Sequence, residues 1–184
     1  AMFKSVIQLD PNHELAHKKL GILYSSKGMF DDAIHEFERV MELNLKDAVT
    51  QYALAEAHLG KNGGDEAICA FKKAIEINPN YAEAHFRLGQ ISLNKTLLDE
   101  AQAEFTKATD INPHYAAAFY YLGVTCFAKE DASHAINAFK KAIEIEPKNA
   151  IAHFDLGIVY ASDRLFDNAI IEFATVVKLE PGNA

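Results

Sequence analysis

The sequence predicts an all-α protein made of repeated helix pairs, and a regular period of 34 residues is the main reason. Phenylalanine recurs once in each period, with a small residue four positions before it and another three positions after it. This spacing places the three residues on one face of a helix, where they can pack against a neighbouring helix. The three columns are Ala33, Ala67, Ala101, Ala135 and Ala169, then Phe37, Phe71, Phe105, Phe139 and Phe173, then Val40, Ala74, Ala108, Ala142 and Val176.

The first helix of each period carries a leucine followed by a small residue, at Leu20-Gly21, Leu54-Ala55, Leu88-Gly89, Leu122-Gly123 and Leu156-Gly157. Glycine inside a helix costs about 0.8–1 kcal/mol relative to alanine, and it is tolerated where another helix must come close. We expect this helix over about the first fourteen residues of the period, for example 82–94 and 116–129. Proline, which has no N–H group and stops a helix, closes the periods at Pro11, Pro79, Pro113, Pro147 and Pro181.

The second helix of each period is expected to begin at the Asp or Ser that lies two residues before the alanine column, at Asp31, Asp65, Asp99, Ser133 and Asp167. Short polar side chains accept hydrogen bonds from the first N–H groups of a helix. The second period is irregular: Leu45 replaces the proline before it, Ala55 replaces glycine, and its turn contains Gly63-Gly64. Because glycine loses the most backbone freedom on folding, we predict a hinge near this period.

A 34-residue unit with Leu-Gly, Ala, Phe, Ala and Pro at these intervals resembles the tetratricopeptide repeat (TPR), a helix-turn-helix unit. The resemblance covers five repeats, which span residues 14–47, 48–81, 82–115, 116–149 and 150–184, and residues 1–13 fit the end of a preceding repeat. It implies a right-handed α-solenoid of stacked antiparallel helix pairs, arranged as one continuous array. Such arrays are stabilised by interfaces within repeats and between neighbouring repeats.

Composition excludes several classes of function. The net charge of −8 and a pI near 5.4 argue against a nucleic-acid groove, which is normally basic. No run approaches the roughly 20 apolar residues of a membrane span, so no direct membrane insertion is expected. Cys69 and Cys126 are separated by a whole repeat, and two unpaired thiols favour a cytoplasmic location without establishing it.

One motif suggests metal chemistry, but its position in the repeat argues against it. His13-Glu14-Leu15-Ala16-His17 matches the HExxH pattern of zinc proteases. His13 precedes the helix, however, and the places equivalent to His17 hold His85 and His153, which we interpret as packing residues. No nucleophile, base and orienting group fall together, so we expect no enzyme activity, no metal and no cofactor.

The resemblance also implies a concave groove formed by the first helices. One aromatic residue per repeat occupies the fifth helical position from the second repeat onward, and Phe127 adds to the series. The candidate groove residues are Lys18, Tyr52, Phe86, Tyr120 and Phe154, then Ile22, Glu56, Gln90, Val124 and Ile158, together with Phe127. These side chains either pack on the neighbouring repeat or form a peptide-binding surface, as exposed apolar patches often do.

One groove chemistry known in TPR proteins is not expected here. Modules that bind the C-terminal carboxylate of chaperones use lysine and asparagine in one repeat, asparagine in the next, and lysine with arginine in the third. In this chain Lys18 is accompanied by Ile22, the next repeat has Ala53, and the third has Glu83 with Arg87. The two-lysine clamp is therefore not assembled.

These observations favour a non-enzymatic adaptor that binds a protein or peptide partner in its groove. A second reading is a self-assembling scaffold, similar to bacterial TPR scaffolds of pili or magnetosomes. A third is the substrate-recruiting array of a larger enzyme, such as a glycosyltransferase. The helix that carries Phe3, Val6 and Ile7 and the helix that carries Phe173 and Val177 lie at the two ends of the sequence. We expect their stacking faces to support a homo-oligomer.

Overall fold

The computed structural model describes residues 2–44 and 46–182. Within these residues the chain forms eleven α-helices and no strand, which confirms the predicted all-α fold. The helices are α1 (Met2–Leu9), α2 (Glu14–Ser26), α3 (Phe30–Leu43), α4 (Ala48–Gly60), α5 (Gly64–Ile77), α6 (Ala82–Asn94), α7 (Leu98–Ile111), α8 (Ala116–Ala128), α9 (Ala132–Ile145), α10 (Ala150–Ser162) and α11 (Phe166–Leu179). Each repeat therefore contributes two helices, and α1 precedes the first complete pair.

The first helices begin and end close to the predicted positions, but the second helices begin one residue earlier than predicted. Each starts at the residue before the expected Asp or Ser, for example at Phe30 rather than Asp31. Asp31, Asp65, Asp99 and Asp167 consequently lie in the first helical turn, and none of them is the N-cap. A carboxylate in that turn still stabilises a helix, because it faces the positive end of the helix dipole.

The turn inside every repeat contains one residue with a positive φ angle, a feature that the sequence reasoning missed. These residues recur at the repeat period and are Gly28, Asn62, Thr96, Glu130 and Arg164. In the third repeat the Leu97 N–H donates to the Ser92 carbonyl oxygen over 2.9 Å, which closes the end of α6. A left-handed residue followed by such a bond is a common way to end a helix.

The phenylalanine column forms the centre of the packing within each repeat. Phe37, Phe71, Phe105 and Phe139 are fully buried. A Cβ atom added at Gly21 would lie 2.6 Å from the Phe37 ring, and one added at Gly89 would lie 2.7 Å from the Phe105 ring. The small residue after leucine therefore permits the close approach of the two helices.

The chain divides into two compact units, Ala1–Ala84 and His85–Ala184, whose boundary falls inside α6. In the first unit, successive helices from α1 to α5 pack against each other, and in the second the same holds from α7 to α11. The predicted hinge rested partly on Leu45, which lies outside the described residues. The hinge and the single continuous array stay predictions.

Both thiols are free: Cys69 is exposed and Cys126 is buried. None of the helices in residues 2–44 and 46–182 combines the length and the apolar character that crossing a membrane requires.

Candidate functional site

In the first unit, the predicted groove residues differ in their exposure and contacts. Tyr52 is half-buried, and its ring lies 5.4 Å from the ring of Phe71 and 5.1 Å from that of Tyr81. Burial, with a smaller effect of Glu83, raises the pKa of Tyr81 to about 12, so this phenol stays neutral. Ile22 is exposed, whereas Glu56 is half-buried. The packing interpretation of the aromatic series therefore applies to Tyr52.

Lys18 is part of a polar cluster at the start of α4. Its Nζ donates to Asp47 Oδ2 over 2.6 Å, and the same carboxylate caps α4 by accepting from the N–H groups of Val49 and Thr50. Burial alone would raise the pKa of Asp47, but hydrogen bonds from Lys18 and Thr50 together hold it below its usual value. Lys18 thus ties α2 to the start of α4.

In the second unit, Phe86 belongs to a core cluster. It is 8% exposed, and its ring lies 4.9 Å from the ring of Tyr115 and 5.8 Å from that of Phe105. Tyr115, the residue immediately before α8, packs against Phe86. Phe86 therefore packs on residues of its own protein, and its contact with a partner stays a prediction. Gln90, one turn further along α6, accepts a hydrogen bond from Arg87 over 3.0 Å.

Tyr120 joins two first helices. Its hydroxyl donates to Asp155 Oδ2 over 2.7 Å, which connects α8 to α10, and its ring lies 5.7 Å from that of Phe139. Burial and the hydrogen bond to Asp155 both raise the pKa of Tyr120 well above its usual value. Tyr120 therefore links α8 to α10 and stays protonated at physiological pH.

Two aromatic side chains of the series are accessible. Phe127 on α8 is 37% exposed and Phe154 on α10 is 48% exposed. Val124 lies one helical turn before Phe127, and Ile158 lies one helical turn after Phe154. Both are half-buried. We call the set Tyr120, Val124, Phe127, Phe154 and Ile158 the α8–α10 face.

In alternate repeats, a buried histidine on the first helix contacts a glutamate on the second helix. His17, His85 and His153 are buried, and the Nδ1 atom of each lies 2.6 Å from a carboxylate oxygen of the second helix, on Glu36, Glu104 and Glu172 respectively. The Nε2 atom of His17 lies 3.0 Å from the Pro11 carbonyl oxygen. The histidines were predicted only as packing residues. The signal that reveals the pairs is joint recurrence, because histidine and glutamate appear together in repeats one, three and five.

The contacts of His13 and His17 show what the two histidines of the HExxH motif do in the fold. Both ring nitrogens of His17 are engaged, one by Glu36 and one by Pro11. His13 lies before α2, where its Nδ1 accepts from the Ala16 N–H over 3.2 Å. In the part of the chain that the structure describes, no group of three or more His, Cys, Asp or Glu side chains is placed to hold a metal ion.

Comparison with known families and structures agrees with this geometry. A family model described as TPR repeat matches residues 65–95 and 125–163, and another described as tetratricopeptide repeat matches residues 19–47 and 82–115. Together these segments cover well over half of the chain. A comparison with curated protein sequences gives no significant match.

Solved structures resemble the chain over almost its whole length. The crystal structure of MamA protein has 26% identity and a TM-score of 0.82, with 91% of this chain and 92% of that chain covered. A MamA from Desulfovibrio magneticus RS-1, comprising residues 41 to its end, has 20% identity and a TM-score of 0.82, with 92% and 96% covered.

YrrB, described as a TPR protein with an unusual peptide-binding site, has 18% identity and a TM-score of 0.83, with 100% of this chain and 94% of that chain covered. At identities of about 20% such likeness shows the fold alone. The family models, the repeated helix pairs and the buried phenylalanine column agree with one another, and the chain belongs to the tetratricopeptide repeat family.

Proposed function

We propose that this chain is a non-enzymatic protein-interaction scaffold that binds an extended or helical segment of a partner protein. The observation that carries the proposal is the α8–α10 face, where Phe127 and Phe154 remain accessible. Apolar side chains grouped on one exposed surface are typical of interaction sites. The likeness of the fold to YrrB, which is described as having a peptide-binding site, supports the same reading.

Each residue of the face has a distinct role in the proposal. Phe127 and Phe154 are the anchors, because aromatic side chains that become buried on binding contribute most of the affinity at such surfaces. Val124 and Ile158 are half-buried apolar residues one helical turn from the anchors, and we assign them a supporting apolar contact. Tyr120 positions the two helices through its bond to Asp155 and contributes the edge of its ring.

The proposal is tested by selecting peptides from a displayed random library on the full chain and measuring their affinity by calorimetry. Phe127→Ala combined with Phe154→Ala should weaken binding at least 30-fold, since paired anchors are each worth about 1–2 kcal/mol or more. Phe166→Ala is the matched control, because Phe166 is also an exposed aromatic residue but lies on α11. Equal affinity of both variants would overturn the proposal.

A second candidate function is self-assembly, and the exposed face of α11 favours it. Phe166, Ile170 and Val177 are each at least half exposed and recur at spacings of four and seven residues, which places them on one side of the helix. Sedimentation over a range of concentrations tests this candidate. Ile170→Glu with Val177→Glu should abolish concentration-dependent association, whereas a strictly monomeric parent chain would exclude it.

A further inference from the structure

Repeats two and four lack the His–Glu pair, and a surface cleft lies in its place in each of them. The positions that hold His85 and Glu104 in the third repeat hold Gln51 and Ala70 in the second. Removal of the glutamate side chain leaves a cleft of about 480 Å³ between α3 and α5, with α4 as its floor. We call this space the repeat-two cleft.

The floor of the repeat-two cleft contains an unsatisfied acceptor. Gln51 is only 8% exposed and lines the cleft, and its Oε1 atom is buried without a hydrogen-bond partner among the residues that the structure describes. Buried polar groups are nearly always hydrogen-bonded, so such an atom calls for an explanation. A donor supplied by a ligand in the cleft would complete the site.

The remaining lining indicates the charge and shape of that ligand. Met41, Leu54 and Ala70 form a buried apolar surface beside Gln51. Three carboxylates line the cleft, on Glu38, Glu42 and Glu66, together with the ammonium group of Lys73 and the imidazole of His58. Glu42 is engaged by Arg39 on its own helix. An apolar floor, an acidic rim and a buried acceptor together suit an aliphatic stem that ends in a cationic N–H donor.

We propose that the repeat-two cleft binds a lysine or arginine side chain of a partner protein. The aliphatic stem lies against Met41 and Leu54, the Gln51 side chain turns so that its Oε1 atom accepts from the cationic nitrogen, and Glu38 and Glu66 balance its charge. This site uses different residues from the α8–α10 face, and either can fail without the other.

The fourth repeat provides an internal comparison. Its cleft, of about 250 Å³, lies between α7 and α9, and Phe119 occupies the position of Gln51. His134 and Lys141 stand where the second repeat has Glu66 and Lys73, and no carboxylate is among the residues described as lining this cleft. It therefore has neither the acceptor nor the negative charge, and we expect no cation there.

The test is a titration of the ¹⁵N-labelled full chain with N-acetyl-arginine amide and N-acetyl-lysine amide, followed through the side-chain NH₂ signals of Gln51. Saturable shifts in the millimolar range are expected with at least one of these probes, and added salt should weaken them. N-acetyl-norleucine amide has a similar stem without the charge and should give no saturable shift. Equal shifts with norleucine would identify an apolar cavity only and overturn the proposal, as would no saturation with either cationic probe.

Two sets of variants locate the binding. Gln51→His with Ala70→Glu installs the pair found in the first, third and fifth repeats, and should abolish binding by filling the cleft, as read from backbone signals around Cys69. Phe119→His with Ala138→Glu makes the same exchange in the fourth repeat and should leave binding unchanged. Glu38→Gln with Glu66→Gln alters only exposed side chains, so folding is not at risk, and should weaken binding at least fivefold. Unchanged binding in that rim variant would contradict the proposal.

A titration with putrescine, a free diamine, compares a small-molecule amine with the two amino-acid amides. Saturation by putrescine at a lower concentration than by either amide would overturn the assignment to a protein side chain.

Discussion

Repeats two and three are each built from one pair of helices, but they differ in the residues at which the two helices of the pair face each other. In the third repeat His85 and Glu104 form a buried pair with 2.6 Å between Nδ1 and Oε2. In the second repeat Gln51 faces Ala70, and its amide oxygen has no partner within the described part of the chain. One pair of residues therefore decides whether the two helices of a repeat are joined at this position or leave a cleft at the surface.

The largest expected effect comes from breaking the pair in the third repeat. Glu104→Ala should lower the free energy of unfolding by about 2–3 kcal/mol, because it leaves a buried imidazole nitrogen without its partner. Gln51→Leu is the matched change in the second repeat. It should cost almost nothing or stabilise the protein slightly, since the lost amide oxygen made no hydrogen bond. Urea unfolding measures both, and equal losses would remove the distinction between the two repeats.

The pH dependence of the free energy of unfolding should reveal the contribution of the His85–Glu104 pair. Burial alone would raise the pKa of Glu104, but hydrogen bonds from His85 and Lys107 hold it below its usual value. A carboxyl group with a depressed folded pKa stabilises the fold above its unfolded pKa of about 4.3, and this contribution is lost as pH falls through the folded pKa. The free energy of unfolding should therefore fall below about pH 4.3, and less steeply in Glu104→Gln. Identical pH profiles for the two proteins would show that Glu104 contributes nothing to the acid response.

The turns of the two repeats also differ. Thr96 has a φ of 57°, which a β-branched residue adopts only with strain, whereas the second repeat has Asn62 at a φ of 66°. Thr96→Gly should raise the free energy of unfolding by about 1 kcal/mol, and Asn62→Gly should change it by no more than a few tenths. Thermal unfolding of both variants checks the prediction, which fails if the asparagine change stabilises as much as the threonine change.

The smallest effect is expected at Gly64. It begins α5, and a Cβ atom added there would meet no atom within 4 Å. Gly64→Ala should raise the free energy of unfolding by about 0.4–1 kcal/mol by restricting the unfolded chain. It should also slow amide exchange in the second repeat, which we predict to be faster than in the third. Gly21→Ala is the contrasting control and should destabilise, because its Cβ would lie 2.6 Å from the Phe37 ring.

The repeated helices could be predicted because each is encoded by residues that recur at one spacing. The phenylalanine column and the small residues around it specify which helical faces meet. The left-handed turn position could not be predicted in this way, since Gly28, Thr96 and Arg164 share no side-chain property. There the backbone hydrogen bonds at the helix end impose the conformation on whatever residue is present.

The candidate site was less predictable than the fold. Phe86 belongs to the predicted aromatic series, yet it is 8% exposed and its ring packs against that of Tyr115. Burial depends on residues outside the column, which a single position in the pattern does not report. The His–Glu pairs were missed for a related reason, because the histidine column was considered without the glutamate column that faces it.

The most direct test of the account is the free energy of unfolding of Gln51→His combined with Ala70→Glu, measured by urea unfolding against the parent chain. Histidine and glutamate at these two positions are expected to stabilise the second repeat as they do the third. The double variant should gain about 1 kcal/mol, and each single variant should lose stability, because each alone adds a polar group without its partner. A double variant that is no more stable than the parent, with a change in free energy equal to the sum of the two single-variant changes, would contradict this expectation.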